Sequence, residues 1–276
     1  MTNKVKTRWD EYRRLHSIMP AVRRNEQIAA LNLINAKDGE KIFEIGTGGG
    51  YLTFPLARMV GLEGQVVTAD IDEKGLRAVL ATAKIQGLPI FIYHYQSDYF
   101  SSKKFAGLEH DPFDKIATLA TYHHFDTRGD PASGFVNTGD HGRVALLREA
   151  FAMLRPGGVL VIVDVMHDTR TQKYFDAIDD AVHFHPIGHP HDFFPAAQLE
   201  SELLHAGFAK VEVQIRDVPW RFATEADAMF FFHTFHQALC PAAESFRIAR
   251  DVLGFYKTGE YYEMGWQLGF AKAYKG

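Results

Sequence analysis

The stretch Phe43-Glu44-Ile45-Gly46-Thr47-Gly48-Gly49-Gly50 sets one carboxyl two residues ahead of a glycine run. Glycine lacks a Cβ and reaches positive φ, so such a run lets backbone approach a ligand closely. The acid limits what that ligand can be. Imidazoles form a second group: His123 and His124 are adjacent, and His167 follows in Asp-Val-Met-His-Asp. An imidazole titrates near neutrality and suits acceptance of a proton from a phenol or an enol. One of the adjacent pair could equally pack against the framework. His183, His185, His189 and His191 crowd a third stretch, where a transition metal could bind with Asp164 or Asp168 as a further ligand. Pro186, Gly188 and Pro190 make that stretch a loop, so its spacing defines no ligand geometry.

These residues need a framework, and the chain supplies an alternation. Two amphipathic helices broken near Pro20 occupy residues 8–35, followed by a strand over 41–45. After the glycines, helical spacing runs to Gly61. Strand 65–70, helix 73–86, strand 90–95, strand 115–120, helix 143–154 and strand 159–165 follow, then helix 195–207 and strand 210–216. The C-terminal Trp-Gln-Leu-Gly-Phe-Ala-Lys-Ala-Tyr run reads as a last strand. Short, nearly continuous apolar strands alternating with helices predict a parallel sheet covered on both faces. Residues 217–264 are aromatic-rich and read as helical: a lid over a pocket, a dimer contact, or equally a simple extension of the core. No repeat or linker divides the chain, so the expectation is one domain, with an N-terminal helical cap over 1–37 and an insertion over 217–264.

Two ligand classes compete for a strand–glycine loop–helix unit. Dinucleotides use G-x-G-x-x-G, which Gly46 and Gly48 satisfy, but Tyr51 stands at the third position. Glu44 would also repel a pyrophosphate. S-adenosylmethionine carries a sulfonium and an ammonium, and a nearby acid favours it.

At this point the chain resembles the class I S-adenosylmethionine-dependent methyltransferases, from about residue 38 to its end. Six stretches match in order: FEIGTGGG, VVTADID, YQSDYF, FDKIATLATYHHF, LLREAFAMLRPGGVLVIVD and FPAAQLESELLHAGFAKVEV. They are most similar to the small-molecule branch that includes the ubiquinone and menaquinone methyltransferases. The resemblance implies a Rossmann-like α/β fold: a seven-stranded sheet, mostly parallel, with an antiparallel last strand inserted between strands five and six and helices on both faces. It implies that Glu44, Gly46, Thr47, Gly48 and Gly50 form the cofactor loop. Asp70, with Ile71 beside it, would accept from the ribose hydroxyls. Ser97 and Asp98 would lie near the adenine, the backbone at Leu119 would line the cofactor, and the four-histidine stretch would be a substrate loop. Glu44 and Leu119 depart from the commoner residues at their positions. Asp72 is the better helix cap, which leaves Asp70 for the ribose.

Composition sets bounds. A formal charge of −4 gives no electrostatic grip on nucleic acid. The single cysteine, Cys240, excludes an intramolecular disulfide and a Cys-based zinc site. No signal peptide or membrane span is read, so a cytoplasmic protein is expected, with a homodimer left open. The expected activity is methyl transfer from S-adenosyl-L-methionine to a small aromatic or otherwise apolar acceptor. Oxygen or carbon is the favoured target, since the Asp/Asn-Pro-Pro-Tyr signature of amino-group methylation is missing. An RNA or protein methyltransferase, and a cofactor-binding protein that transfers nothing, are the alternatives.

Overall fold

The computed structural model describes residues 8–94, 112–125, 143–178 and 193–276. Their elements run α1 (Arg8–Ile18), α2 (Arg24–Ile34), β1 (Lys41–Ile45), α3 (Thr53–Val60), β2 (Gln65–Asp70), α4 (Glu73–Gln86), β3 (Ile90–His94) and β4 (Phe113–Leu119). Then follow α5 (Arg143–Met153), β5 (Leu154–Asp164), α6 (Arg170–Ile178), α7 (Ala196–His205), β6 (Lys210–Asp217) and β7 (Trp220–Phe222). The chain ends with α8 (Glu225–His236), α9 (Ala242–Leu253), β8 (Phe255–Thr258), β9 (Tyr261–Met264) and β10 (Gln267–Tyr274). No described helix is long and apolar enough to cross a membrane.

Seven strands form one sheet in the order β3-β2-β1-β4-β5-β10-β6. β1 pairs in parallel with β2 and β4, and β4 with β5. β10 runs antiparallel to β5, from Gly269 opposite Asp164 to Tyr274 opposite Val159. The Rossmann-like sheet, with its last strand inserted between the fifth and sixth, is therefore as expected. β5 begins earlier than predicted, because Leu154 already pairs with Phe113. The register then shifts, and Val159 pairs with Lys115, so Arg155-Pro156-Gly157-Gly158 is an irregularity within the ladder.

The sheet's order fixes where a ligand can sit. From β1 the chain moves outward through β2 to β3, then returns to the other side of β1 for β4. Open α/β sheets bind ligands at such a switch point, past the carboxyl ends of the strands. β1 is the central strand there, and Ile42, Phe43, Glu44 and Ile45 are all buried. α4 shows how the flanking helices are specified: Gly75, Leu76, Val79 and Ala83 form its buried stripe. Gly87 stops it in the left-handed conformation (φ 63°), and its N–H reaches the Ala83 and Lys84 carbonyls.

The described residues fall into two compact units. One comprises those of Ile28–His167, Pro190–Arg216 and Leu268–Gly276, and holds the seven-stranded sheet. The other comprises those of Met1–Gln27, Asp168–His189 and Asp217–Gln267. Here the sequence reading needs correction: 217–264 is not helical throughout, because α8 and α9 share it with an antiparallel sheet in the order β7-β9-β8. α6 was not anticipated at all. Aromatic residues fill this unit's core, with the Trp220 and Trp266 rings stacked 3.9 Å apart and Tyr174, Phe231 and Phe232 around them. α8 opens on a capping box in which Thr224 Oγ1 accepts from Asp227 N–H and Asp227 accepts from Thr224 N–H.

One buried charge pair ties this unit's N-terminal segment to β7. Glu26 is fully buried, accepts from the Arg23 guanidinium, and accepts at 3.0 Å from the Trp220 indole N–H. Removing one partner from a buried pair leaves the other charge poorly compensated, at a cost of about 3–5 kcal/mol. Glu26→Ala should lower stability by that order in denaturant titrations followed by tryptophan fluorescence. A loss within error would mean that the pair contributes nothing to holding the segment.

Candidate functional site

The turn from β1 into α3 is shaped by glycine. Gly46, Gly48 and Gly50 all have positive φ, at 89°, 50° and 83°. A Cβ on Gly46 would lie 2.0 Å from Thr121 Oγ1, and one on Gly50 would lie 2.4 Å from the Phe54 ring. The loop therefore passes so close to the segment after β4 that no side chain fits at Gly46. Gly46 and Thr47 N–H both reach the Ala69 carbonyl, and Gly50 N–H returns to Thr47 O, which pins the loop to the end of β2.

Beneath the loop lies Glu44, 1% exposed in the middle of an apolar strand. Its Oε2 accepts from Thr53 Oγ1 at 2.5 Å and from Thr68 Oγ1 at 2.6 Å. The hydrogen on Thr68 is thereby committed, so the 2.6 Å contact between Thr47 and Thr68 hydroxyls is donated by Thr47. Burial raises the Glu44 carboxyl to about 8, against the opposing effect of the two threonine bonds and with a small addition from Asp70. Both hydroxyl donors fall on Oε2, which leaves Oε1 to carry the proton that burial favours.

Asp70 sits at the end of β2 and faces the loop. Its Oδ2 accepts from Gly48 N–H at 2.8 Å, and its Oδ1 accepts from Asp72 N–H at 2.9 Å. Asp72 occupies the N-cap position of α4 but makes no side-chain cap bond. The division of labour read from the sequence, with Asp72 capping and Asp70 uncommitted, is thus corrected: Asp70 caps from two residues upstream. Ile71 follows, and its carbonyl lies 3.1 Å from His94 Nε2.

Across the switch point, Leu119 ends β4 opposite Val163, and Ala120 follows at φ 52°. Such a conformation costs a non-glycine residue energy, and outliers of this kind gather at functional sites. Tyr122–His124 then form one turn of 3-10 helix. His123 is buried, and its Nδ1 lies 2.7 Å from Oδ1 of the fully buried Asp164 at the end of β5. The His124 ring packs on it at 4.0 Å, and Phe193 at 5.5 Å. Tyr122 is also buried and donates to Glu202, and burial pushes its phenol well above the ordinary value. His167 is exposed, and its backbone N–H bonds to Phe194 O at 3.0 Å.

The structure thus brings together Glu44, Gly46, Thr47, Gly48, Gly50 and Asp70, with Leu119 at the end of the adjoining strand and the His123–His124 pair on the turn that follows it. Sequence reasoning missed Thr53, Thr68 and Thr121, and weighed Asp164 only as a metal ligand. Asp164 did leave a signal, an acid closing an otherwise apolar strand. Ser97, Asp98 and the four histidines at 183, 185, 189 and 191 lie outside the described residues. Among the described residues, no three His, Cys, Asp or Glu side chains are grouped to hold a metal.

Comparison with known proteins decides the family. A family model described as a methyltransferase domain matches residues 12–213. The chain belongs to this methyltransferase family. No curated protein sequence matches. Among solved structures, a Bacillus halodurans protein proposed to be a methyltransferase is 16% identical, with a TM-score of 0.58, over 91% of this chain and 98% of the other. An S-adenosylmethionine-dependent methyltransferase from Aquifex aeolicus is 15% identical, with a TM-score of 0.51, over 98% and 99%. Precorrin-6y C5,15-methyltransferase from Geobacter metallireducens is 13% identical, with a TM-score of 0.50, over 90% and 87%. Identities this low show a shared fold.

The methyltransferase's cofactor is S-adenosylmethionine, and the residues present fit it. Backbone without Cβ atoms forms the loop, and two acids stand on adjacent strands beside it, Glu44 within β1 and Asp70 at the end of β2, where a sulfonium and an ammonium need negative charge. Bound there, the cofactor supplies an electrophilic methyl group.

The Glu44 environment generates a pH prediction. In the ligand-free protein the folded acid titrates above its ordinary value of 4.5. Its contribution to stability is therefore complete below that value and is lost as pH rises toward about 8. Glu44→Gln keeps an acceptor for the two threonines and removes the titration. From pH 5 to pH 8, wild type should lose about 3 kcal/mol of stability relative to Glu44→Gln in urea titrations. Parallel pH profiles would show that Glu44 ionises without penalty where it sits.

Proposed function

We propose that this methyltransferase acts on an oxygen or carbon atom of a small aromatic or otherwise apolar metabolite, and that His123 takes the proton the acceptor gives up. The observation carrying this reading is the placement of His123, buried on the turn after β4 and two residues beyond Thr121, whose side chain abuts Gly46 of the loop. That imidazole is carried on the segment that packs against the loop assigned to the cofactor. In-line displacement gains most from holding the reacting atoms in contact, and a base is needed only when the acceptor must lose a proton. Glu44, the loop from Gly46 to Gly50 and the backbone at Leu119 are assigned to the amino-acid and sulfonium part of the cofactor. Asp70, with Ile71, is assigned to its ribose. The missing amino-group signature and the formal charge of −4 support a small acceptor over nucleic acid.

Two measurements test this reading. Calorimetry should show binding of S-adenosylmethionine and S-adenosylhomocysteine but not NAD, and Asp70→Ala should weaken it by about 1–3 kcal/mol. Incubation with methyl-labelled cofactor should label members of a panel of phenols and enolisable ketones. Label that appears only in tRNA, in protein or in amines would overturn the reading.

A further inference from the structure

The bonding around Asp164 extends this reading to a positioning residue and an acceptor class. Asp164 is fully buried at the end of β5 and is met by three donors from two elements. Its Oδ2 accepts from His123 backbone N–H at 3.1 Å, and its Oδ1 accepts from Val165 N–H at 2.7 Å. The third contact, 2.7 Å from Oδ1 to His123 Nδ1, joins the two side chains. A carboxylate whose oxygens both accept backbone N–H groups has only acceptor capacity to offer the ring. Nδ1 must therefore carry the hydrogen. In a neutral imidazole that leaves Nε2 with the lone pair.

We infer that Asp164 is a positioning residue, which holds His123 in the tautomer whose Nε2 accepts a proton, and that the acceptor is a phenolic or enolic hydroxyl. This rests on the reading of His123 given above. The two backbone bonds hold the carboxylate independently of the ring, so one acid sets both the tautomer and the ring plane. A neutral imidazole can take a proton from a phenol or enol, whereas an aliphatic alcohol is too weak an acid for this base. The balance is simple. The hydroxyl proton moves to Nε2, the oxygen keeps the O–H pair and forms the new bond to the methyl carbon, and the C–S pair stays on sulfur. His123 ends as an imidazolium and returns its proton to water.

The test has a spectroscopic arm that needs no acceptor. Long-range proton–nitrogen correlation spectra of histidine-labelled protein, with His123 identified by its loss in His123→Gln, should show Nδ1–H in wild type. Asp164→Ala leaves Nδ1–H without its acceptor, and the His123 signal should lose that signature while S-adenosylhomocysteine affinity survives. An Nε2–H ring in wild type overturns the inference whether or not the variant folds. The kinetic arm uses whichever phenol is labelled. Asp164→Ala should lower kcat by on the order of 10²–10⁴-fold with KM little changed. An acidic nitrophenol, already ionised, should lose far less. Unchanged kcat on a phenol in the variant overturns the inference. If wild type binds neither form of the cofactor, the methyl-transfer reading fails, while the spectrum still decides the role of Asp164.

Discussion

A carboxyl group buried in the middle of the central strand is the constraint around which this site is built. Glu44 has apolar neighbours on β1, and its lateral neighbours in the sheet are Thr68 on β2 and Ala117 on β4. A polar group in such a place is costly unless it is hydrogen-bonded. Thr68 meets that need from the side, and Thr53, the first residue of α3, meets it from above. The same bonds fix where α3 starts and how Thr47 is turned. The loop between them has little freedom left, and glycine is what allows it to close.

The rest of the site follows from strand order. Because β4 adjoins β1, the turn after β4 runs against Gly46, and Thr121 takes the space that a side chain at Gly46 would need. The turn that carries Thr121 also carries His123, and β5 on its far side brings Asp164 to the imidazole. The glycine loop and the His123–Asp164 pair are thus linked by one run of contacts across three adjacent strands. The positive φ of Ala120 falls where that run bends.

Much of this was legible in the sequence, for physical reasons. Strands such as Gln65–Asp70 are short apolar runs with clear stops, and α4 carries a 3.6-residue stripe closed by Gly87, so local pattern and final structure agree. The glycines declared the loop because Gly46 and Gly50 combine positive φ with neighbours that leave no room for a Cβ. The pairing of His123 with Asp164 was not legible, since they are 41 residues apart and meet only through strand order. Nor was the protonation of Glu44, which depends on how deeply β1 is buried. The strands of 217–264 were missed because Trp220, Phe222, Tyr261 and Tyr262 suit an apolar helix face as well as a strand. Asp70 and Asp72 could not be told apart as caps by residue type.

If Glu44 serves the cationic part of the cofactor, as proposed above, binding must displace the proton that burial favours on it. Calorimetry of cofactor binding at pH 7, in two buffers of different ionisation enthalpy, tests it most directly. S-adenosylmethionine should release up to about one proton, S-adenosylhomocysteine, which lacks the sulfonium charge, should release less, and the difference should disappear in Glu44→Gln. Binding enthalpies for S-adenosylmethionine that are the same in both buffers would contradict it.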